Sequence, residues 1–135
     1  MTREEKKKQK RKEEEDFVKS LFGKRLTSVL KNKFRETFIW KDFRNGLKQK
    51  RKVDFFTGRK LTKTWNCHHR RTDSRLYTDL NEDYYLALNN QMHSLYHICY
   101  EEMRKDPKFL RRIEEQILID LKLNDNESFI HKKKS

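Results

Sequence analysis

Residues 66–71 read NCHHRR: an asparagine, a cysteine, two adjacent histidines and two arginines. Further on, residues 89–97 read NNQMHSLYH and place His93 and His97 four apart. Four of the five histidines of the chain fall between positions 68 and 97. The residues around them set their context. Residues 61–67, LTKTWNC, are β-branched and aromatic and predict a strand that ends at His68 and His69. Residues 70–83 form a polar loop. The run YYLAL, residues 84–88, predicts a second short strand. Asn89 and Asn90 are good helix N-caps, and Leu88, Met92, Leu95 and Cys99 then follow helical spacing. The order is strand, loop, strand, helix.

That order brings particular chemistry together. Two histidines four apart on a helix share a face and can bind one metal ion through two imidazoles. Two adjacent histidines on an extended strand point to opposite sides, so one ring can join a metal while its neighbour cannot. The neighbour is then free to act as a base, a role that suits an imidazole because its ordinary pKa is about 6.5. A divalent metal beside a neutral imidazole is what phosphodiester hydrolysis needs. Arg70 and Arg71 are candidates to hold phosphate oxygens.

At these residues the chain resembles the HNH endonucleases, the ββα-metal nucleases, and in style the small free-standing HNH proteins of phage genomes. NCHH at residues 66–69 and LALNNQMHSLYH at 86–97 match the two ends of the family motif. FFTGRKL at 55–61 resembles the turn before it, and the likeness covers about residues 53–103. The resemblance implies a small ββα-metal core with His68 as first metal ligand, His69 as general base, His93 as closing ligand and His97 as an additional helical ligand. It implies a divalent metal ion, Mg²⁺, Mn²⁺, Ni²⁺ or Zn²⁺, with no other small-molecule cofactor. The sequence departs from the family in two places. Tyr84 stands where a loop-bracing asparagine is expected, with Asn81 or Asp83 as its substitute. Phe55 stands where many relatives carry a knuckle cysteine, so no structural zinc is expected.

The rest of the chain supplies charge and packing. It has 135 residues, 33% hydrophobic and 41% charged, with a formal net charge of +13. So basic a surface predicts a polyanionic partner, DNA here, and no apolar run approaches the ~20 residues a membrane span needs. Residues 24–52 carry eleven Lys or Arg against two acids, a net +9. Their end, KQKRK, offers Lys48, Lys50, Arg51 and Lys52 as phosphate contacts, with Arg59, Lys60 and Lys63 downstream. Two distant cysteines, Cys67 and Cys99, read as reduced thiols in a cytoplasmic setting, the bacterial host cytoplasm for a phage protein. Cys67 reads as a packed thiol and Trp65, Tyr84 and Tyr85 as core or half-buried residues.

The expected fold class is α+β, a small ββα-metal core between flanking helices. Residues 1–22 are a charged helix or arm opened by a Thr2/Glu5 capping box. Residues 23–52 are a basic helical segment with Leu26, Leu30, Phe34 and Phe38 as its stripe and a turn at FRNG, 43–46. Residues 53–104 are the nuclease core, with a hairpin turning at Thr57-Gly58. Residues 105–123 are a helix started at Asp106-Pro107 with Phe109, Ile113, Ile117 and Leu121 along it. Residues 124–135 are a loose tail in which His131 is solvated. The competing reading is a non-catalytic nucleic-acid-binding protein with a structural or decayed metal site.

Overall fold

The computed structural model describes the backbone of residues 1–134 and the side chains of residues 1–126. The fold class is α+β: five α-helices and one two-stranded antiparallel sheet among the described residues. None of those helices is long and apolar enough to cross a membrane. The chain divides into two compact units, Met1–His93 and Ser94–Ser135.

The first unit opens with α1, Arg3–Leu21. Its capping box forms as expected: the Glu5 N–H donates to the Thr2 hydroxyl at 3.2 Å, and the Thr2 N–H to the Glu5 carboxylate at 3.4 Å. The basic segment that follows is two helices, α2 (Ser28–Glu36) and α3 (Phe38–Arg51), separated by one residue. Thr37 makes the break. Its hydroxyl donates to the Phe34 carbonyl, closing α2, and accepts from the Trp40 N–H, opening α3. A cap of this kind is worth about 1 kcal/mol, which offsets the cost of a chain bend in the middle of an apolar stripe.

The turn expected at FRNG does not exist, because α3 runs straight through it to Arg51. Gly46 inside a helix costs about 1 kcal/mol. Trp40 and Leu47, both buried, and the half-buried Phe43 lie on one helical face, and burying such side chains contributes about 1.5–3 kcal/mol each. Packing therefore outweighs the glycine.

The expected hairpin before the histidines is also reduced. Val53 and Lys60 make one isolated bridge, and residues 54–58 form a turn around Asp54. The sheet proper is β1, Asn66–His69, paired antiparallel with β2, Tyr85–Leu88. Helix α4, Asn90–Lys105, follows at once. The sequence order of strand, loop, strand and helix is thus the observed one.

The core of this unit includes Leu21, Leu26, Phe34, Trp40, Leu47, Leu61, Trp65, Tyr85 and Ala87. Register makes one face of the sheet part of it. His69 lies opposite Tyr85 and Cys67 opposite Ala87, and the side chains of these four share a face. Helix α3 packs on that face, with Phe43 and Tyr85 ring centroids 4.9 Å apart. The other face carries His68 and Leu86.

The second unit holds the rest of α4 and helix α5, Phe109–Lys134. The Asp106 carboxylate accepts from the Lys108 N–H and pairs with Arg112, and α5 begins two residues beyond Pro107. The helix continues past Leu123 through the stretch expected to be loose. His131 lies outside the residues whose side chains are described. The predicted stripe is present on α5, but Ile113, Ile117 and Leu121 are all exposed.

Candidate metal centre

Three histidines converge. One ring nitrogen from each of His68, His93 and His97 lies within 4.8 Å of the other two. His68 is buried, His93 half-buried and His97 exposed. His68 comes from the middle of β1, on the face away from α3. His93 sits one turn into α4, and its ring meets the His68 ring edge to face at 5.2 Å. His97 follows on the same helix one turn later, so its position relative to His93 is set by the helical repeat. A metal with bonds of about 2.1 Å spans nitrogens roughly 3–4 Å apart. Small ring rotations therefore separate this arrangement from a closed shell, and an all-imidazole donor set fits a divalent transition metal.

Two devices tie residues 54–62 to the start of α4; the strand and helix patterns of the sequence do not single out Asp54 and give Asn89 a different role, that of a helix cap. Asp54 is 1% exposed. Its carboxylate accepts from the Asn89 N–H at 2.7 Å, the Thr57 N–H at 2.8 Å, the Phe56 N–H at 2.9 Å and the Thr57 hydroxyl at 3.1 Å. Burial pushes this carboxyl up, but the donors from Asn89, Thr57 and Phe56 outweigh it, so its pKa lies below the ordinary 3.8. Asn89 is the second device. Rather than capping α4 with its side chain, it accepts from the Thr62 N–H and donates to the Lys60 carbonyl. The turn at 54–58 is thereby tied to the junction between β2 and α4. Asp-x-x-Thr-Gly is the sequence signal that points to Asp54, since an aspartate that starts such a turn bonds the N–H groups ahead of it.

His69 has a different environment from its neighbour. Its ring stacks on Tyr77 at 4.4 Å and 10°, lies parallel to Trp40 at 5.8 Å and 11°, and meets Tyr85 at 4.5 Å. Nε2 lies 3.4 Å from the Tyr77 carbonyl oxygen. An N–H on Nε2 donates there and leaves Nδ1 as the accepting nitrogen. Burial lowers the pKa of His69 from 6.5 to about 4, with Lys31, Arg35 and Arg71 adding to the effect and the Tyr77 carbonyl opposing it. His69 is therefore neutral at pH 7. Cys67, on the same face, is pushed by burial up to about 12, a packed and unreactive thiol.

The loop between the strands absorbs several of the cations expected at phosphates. The Arg71 guanidinium pairs with Asp79 at 3.0 Å and lies 3.7 Å from the centre of the Tyr84 ring. Arg70 donates to the Asp83 carbonyl through its side chain and to the Tyr84 carbonyl through its N–H. Arg51 donates to the Glu82 carbonyl, and Lys50 pairs with the Glu82 carboxylate at 2.5 Å. Asn81 caps the short turn at 82–84 by accepting from the Asp83 N–H. Asp83 contributes only backbone groups to these contacts. Tyr84 is exposed, in contrast to the buried Trp65 and Tyr85. Lys48, half-buried, and the exposed Lys52, Arg59, Lys60 and Lys63 are the remaining candidate phosphate contacts on this side of the chain.

Compared with protein-family models, with curated proteins and with solved structures, the chain matches none.

Proposed function

We propose that this chain is a metal-dependent DNA endonuclease that hydrolyses phosphodiester bonds at the β1–α4 centre. The observation that carries the reading is the convergence of His68, His93 and His97 beside a fourth, neutral histidine on the same strand. His68, His93 and His97 hold the ion, whose bound form supplies charge stabilisation at the phosphate and the leaving oxygen. Imidazole donors favour Zn²⁺ or Ni²⁺ over Mg²⁺, which prefers oxygen ligands. The HNH resemblance gives His69 the proton of the attacking water, although its ring sits on the α3 face of β1, opposite His68, held by the Tyr77 carbonyl and the stacked rings. Lys48, Lys52, Arg59, Lys60 and Lys63 contact phosphates. The products are a 3′-hydroxyl and a 5′-phosphate, as the HNH resemblance implies, in the cytoplasm of a bacterial host.

A second reading has its own observation. His69 lies inside an aromatic enclosure, and Tyr84 occupies the position of the loop asparagine, which favours a nucleic-acid-binding protein with a structural metal. Supercoiled plasmid incubated with Mg²⁺, Mn²⁺, Ni²⁺ or Zn²⁺, with and without chelator, separates the two. Nicking that needs metal, stops with chelator and is lost in His69→Ala supports the nuclease. Binding without nicking under every metal supports the alternative.

A further inference from the structure

Helix α5 leaves its apolar residues in water. Residues 110–126 are exposed without exception, and Ile117, Leu118, Ile119, Leu121 and Leu123 are each more than half exposed. Most helical stability comes from packing an apolar face rather than from propensity, so this helix lacks the contact its sequence is built for. Leu110, Ile113, Ile117 and Leu121 follow spacings of three and four and lie along one side. Contiguous exposed apolar surface of this kind marks an interaction site.

The charges along the helix identify the partner. Residues 105–112 carry four Lys or Arg against one acid, a net +3, and residues 113–126 carry four acids against one lysine, a net −3. Two copies laid antiparallel bring the basic end of each beside the acidic stretch of the other. Ile117 then lies near the two-fold axis, and Ile113 of one copy is level with Leu121 of the other. A parallel pair would set like charges side by side, which disfavours it. Arg111 pairs with Glu115 and Arg112 with Asp106, but the side chains of both pairs are exposed, where ion pairs contribute little and exchange readily. A symmetric pair is also the commonest way for one surface patch to cover itself.

We infer that α5 is a self-association element. It packs antiparallel on α5 of a second copy of this chain, through Ile113, Ile117 and Leu121, and each assembly carries two of the three-histidine groups. The inference rests on neither the metal nor DNA. The test is sedimentation equilibrium on the full chain, from micromolar concentration upwards. Chelator and reductant are present, so that neither a shared metal nor a Cys99 disulfide joins chains. The expected result is a reversible dimer. Ile117→Asp, which counts twice in a symmetric pair, should raise the dissociation constant roughly 30-fold or more, the factor for a buried anchor. Far-UV circular dichroism should show helix lost, while the fluorescence of Trp40 and Trp65, both in the core of the first unit, stays at the wild-type level. Two charge-reversed chains fix the direction of pairing. Arg111→Glu/Arg112→Glu and Asp120→Lys/Asp125→Lys should each dimerise more weakly than wild type, and an equimolar mixture should restore pairing. Substitutions that acted only within one helix would not be rescued by mixing. A chain that stays monomeric at every concentration overturns the inference, as does a dimer that Ile117→Asp leaves intact. Charge-reversed chains that dimerise like wild type, or that fail to recover on mixing, also overturn it.

Discussion

The two faces of β1 carry adjacent histidines with opposite surroundings. His68 turns towards α4 and meets His93, so its neighbours are other imidazoles. His69 turns towards α3 and is stacked with Trp40 and Tyr77, and burial drives its pKa down to about 4. One residue type, repeated once, becomes a candidate metal ligand on one side and a neutral ring packed among aromatics on the other. The difference lies in strand alternation and in the element each face packs against, not in any property of histidine.

Substitution at the two positions should produce the largest effects and should split them. His68→Ala removes a ligand, so metal affinity should fall by more than the 10- to 100-fold typical of losing an outer-shell partner. Cleavage should disappear with it. His69→Ala should leave metal affinity within a few-fold of wild type while cleavage falls roughly 10²- to 10⁴-fold, the range for a general base. Calorimetric titration with Zn²⁺ alongside plasmid cleavage measures both. Parallel losses of metal affinity in the two variants would dissolve the distinction between the faces.

Asp54 tests what holds the α4 side in place. Asp54→Ala leaves several buried or half-buried N–H groups without an acceptor, each worth about 1–3 kcal/mol. Urea denaturation should show a loss of about 3 kcal/mol or more. Metal affinity should weaken too, because the Asn89 junction fixes where α4, which carries His93 and His97, leaves β2. Since the pKa of Asp54 is lowered in the fold, its contribution is complete above pH 3.8 and is lost as pH falls through the folded value.

The α3 side should show itself in pH dependence. His69 is depressed from 6.5 to about 4, so the unfolded chain takes up a proton in that window while the folded chain does not. The contribution to stability is full above pH 6.5 and is lost progressively down to pH 4, about 3 kcal/mol in all. His69→Phe keeps the stacking and removes the titration. Its stability should therefore fall less than that of wild type between pH 6.5 and 4.5, as followed by urea melts.

The basic segment should give the smallest effect. Replacing Lys48, Lys50, Arg51 and Lys52 with Gln would lower the salt slope of DNA affinity by about 0.9 for each phosphate contact removed. Lys50 and Arg51 are already engaged with Glu82, so the expected drop is about 2 rather than 4. An unchanged slope would shift the grip to Arg59, Lys60 and Lys63.

The strand-loop-strand-helix order and the three-histidine group were legible because period-two and period-3.6 patterns place side chains without reference to the rest of the chain. The break at Thr37 and the continuity of α3 through Gly46 were not. Both depend on a cap competing with burial, and that balance is tertiary. The enclosure of His69 was hidden for the same reason: Trp40 lies 29 positions upstream and Tyr77 within a polar loop. Asp54 had a local signature, but the hydrophobic pattern of its neighbours pointed to a strand. Arg70 and Arg71 looked like phosphate contacts, whereas the loop beside them supplies Asp79, Tyr84 and the Asp83 carbonyl as partners.

The central claim is that β1 separates a metal-binding face from a metal-free one, and histidine-selective ¹⁵N NMR during a Zn²⁺ titration tests it directly. The account predicts that at one equivalent the ring nitrogens of His68, His93 and His97 shift together to metal-bound values. His69 keeps its neutral resonances through the titration and protonates only near pH 4. Zn²⁺-dependent shifts of the kind expected for a ligand at His69, or their absence at His68, would contradict it.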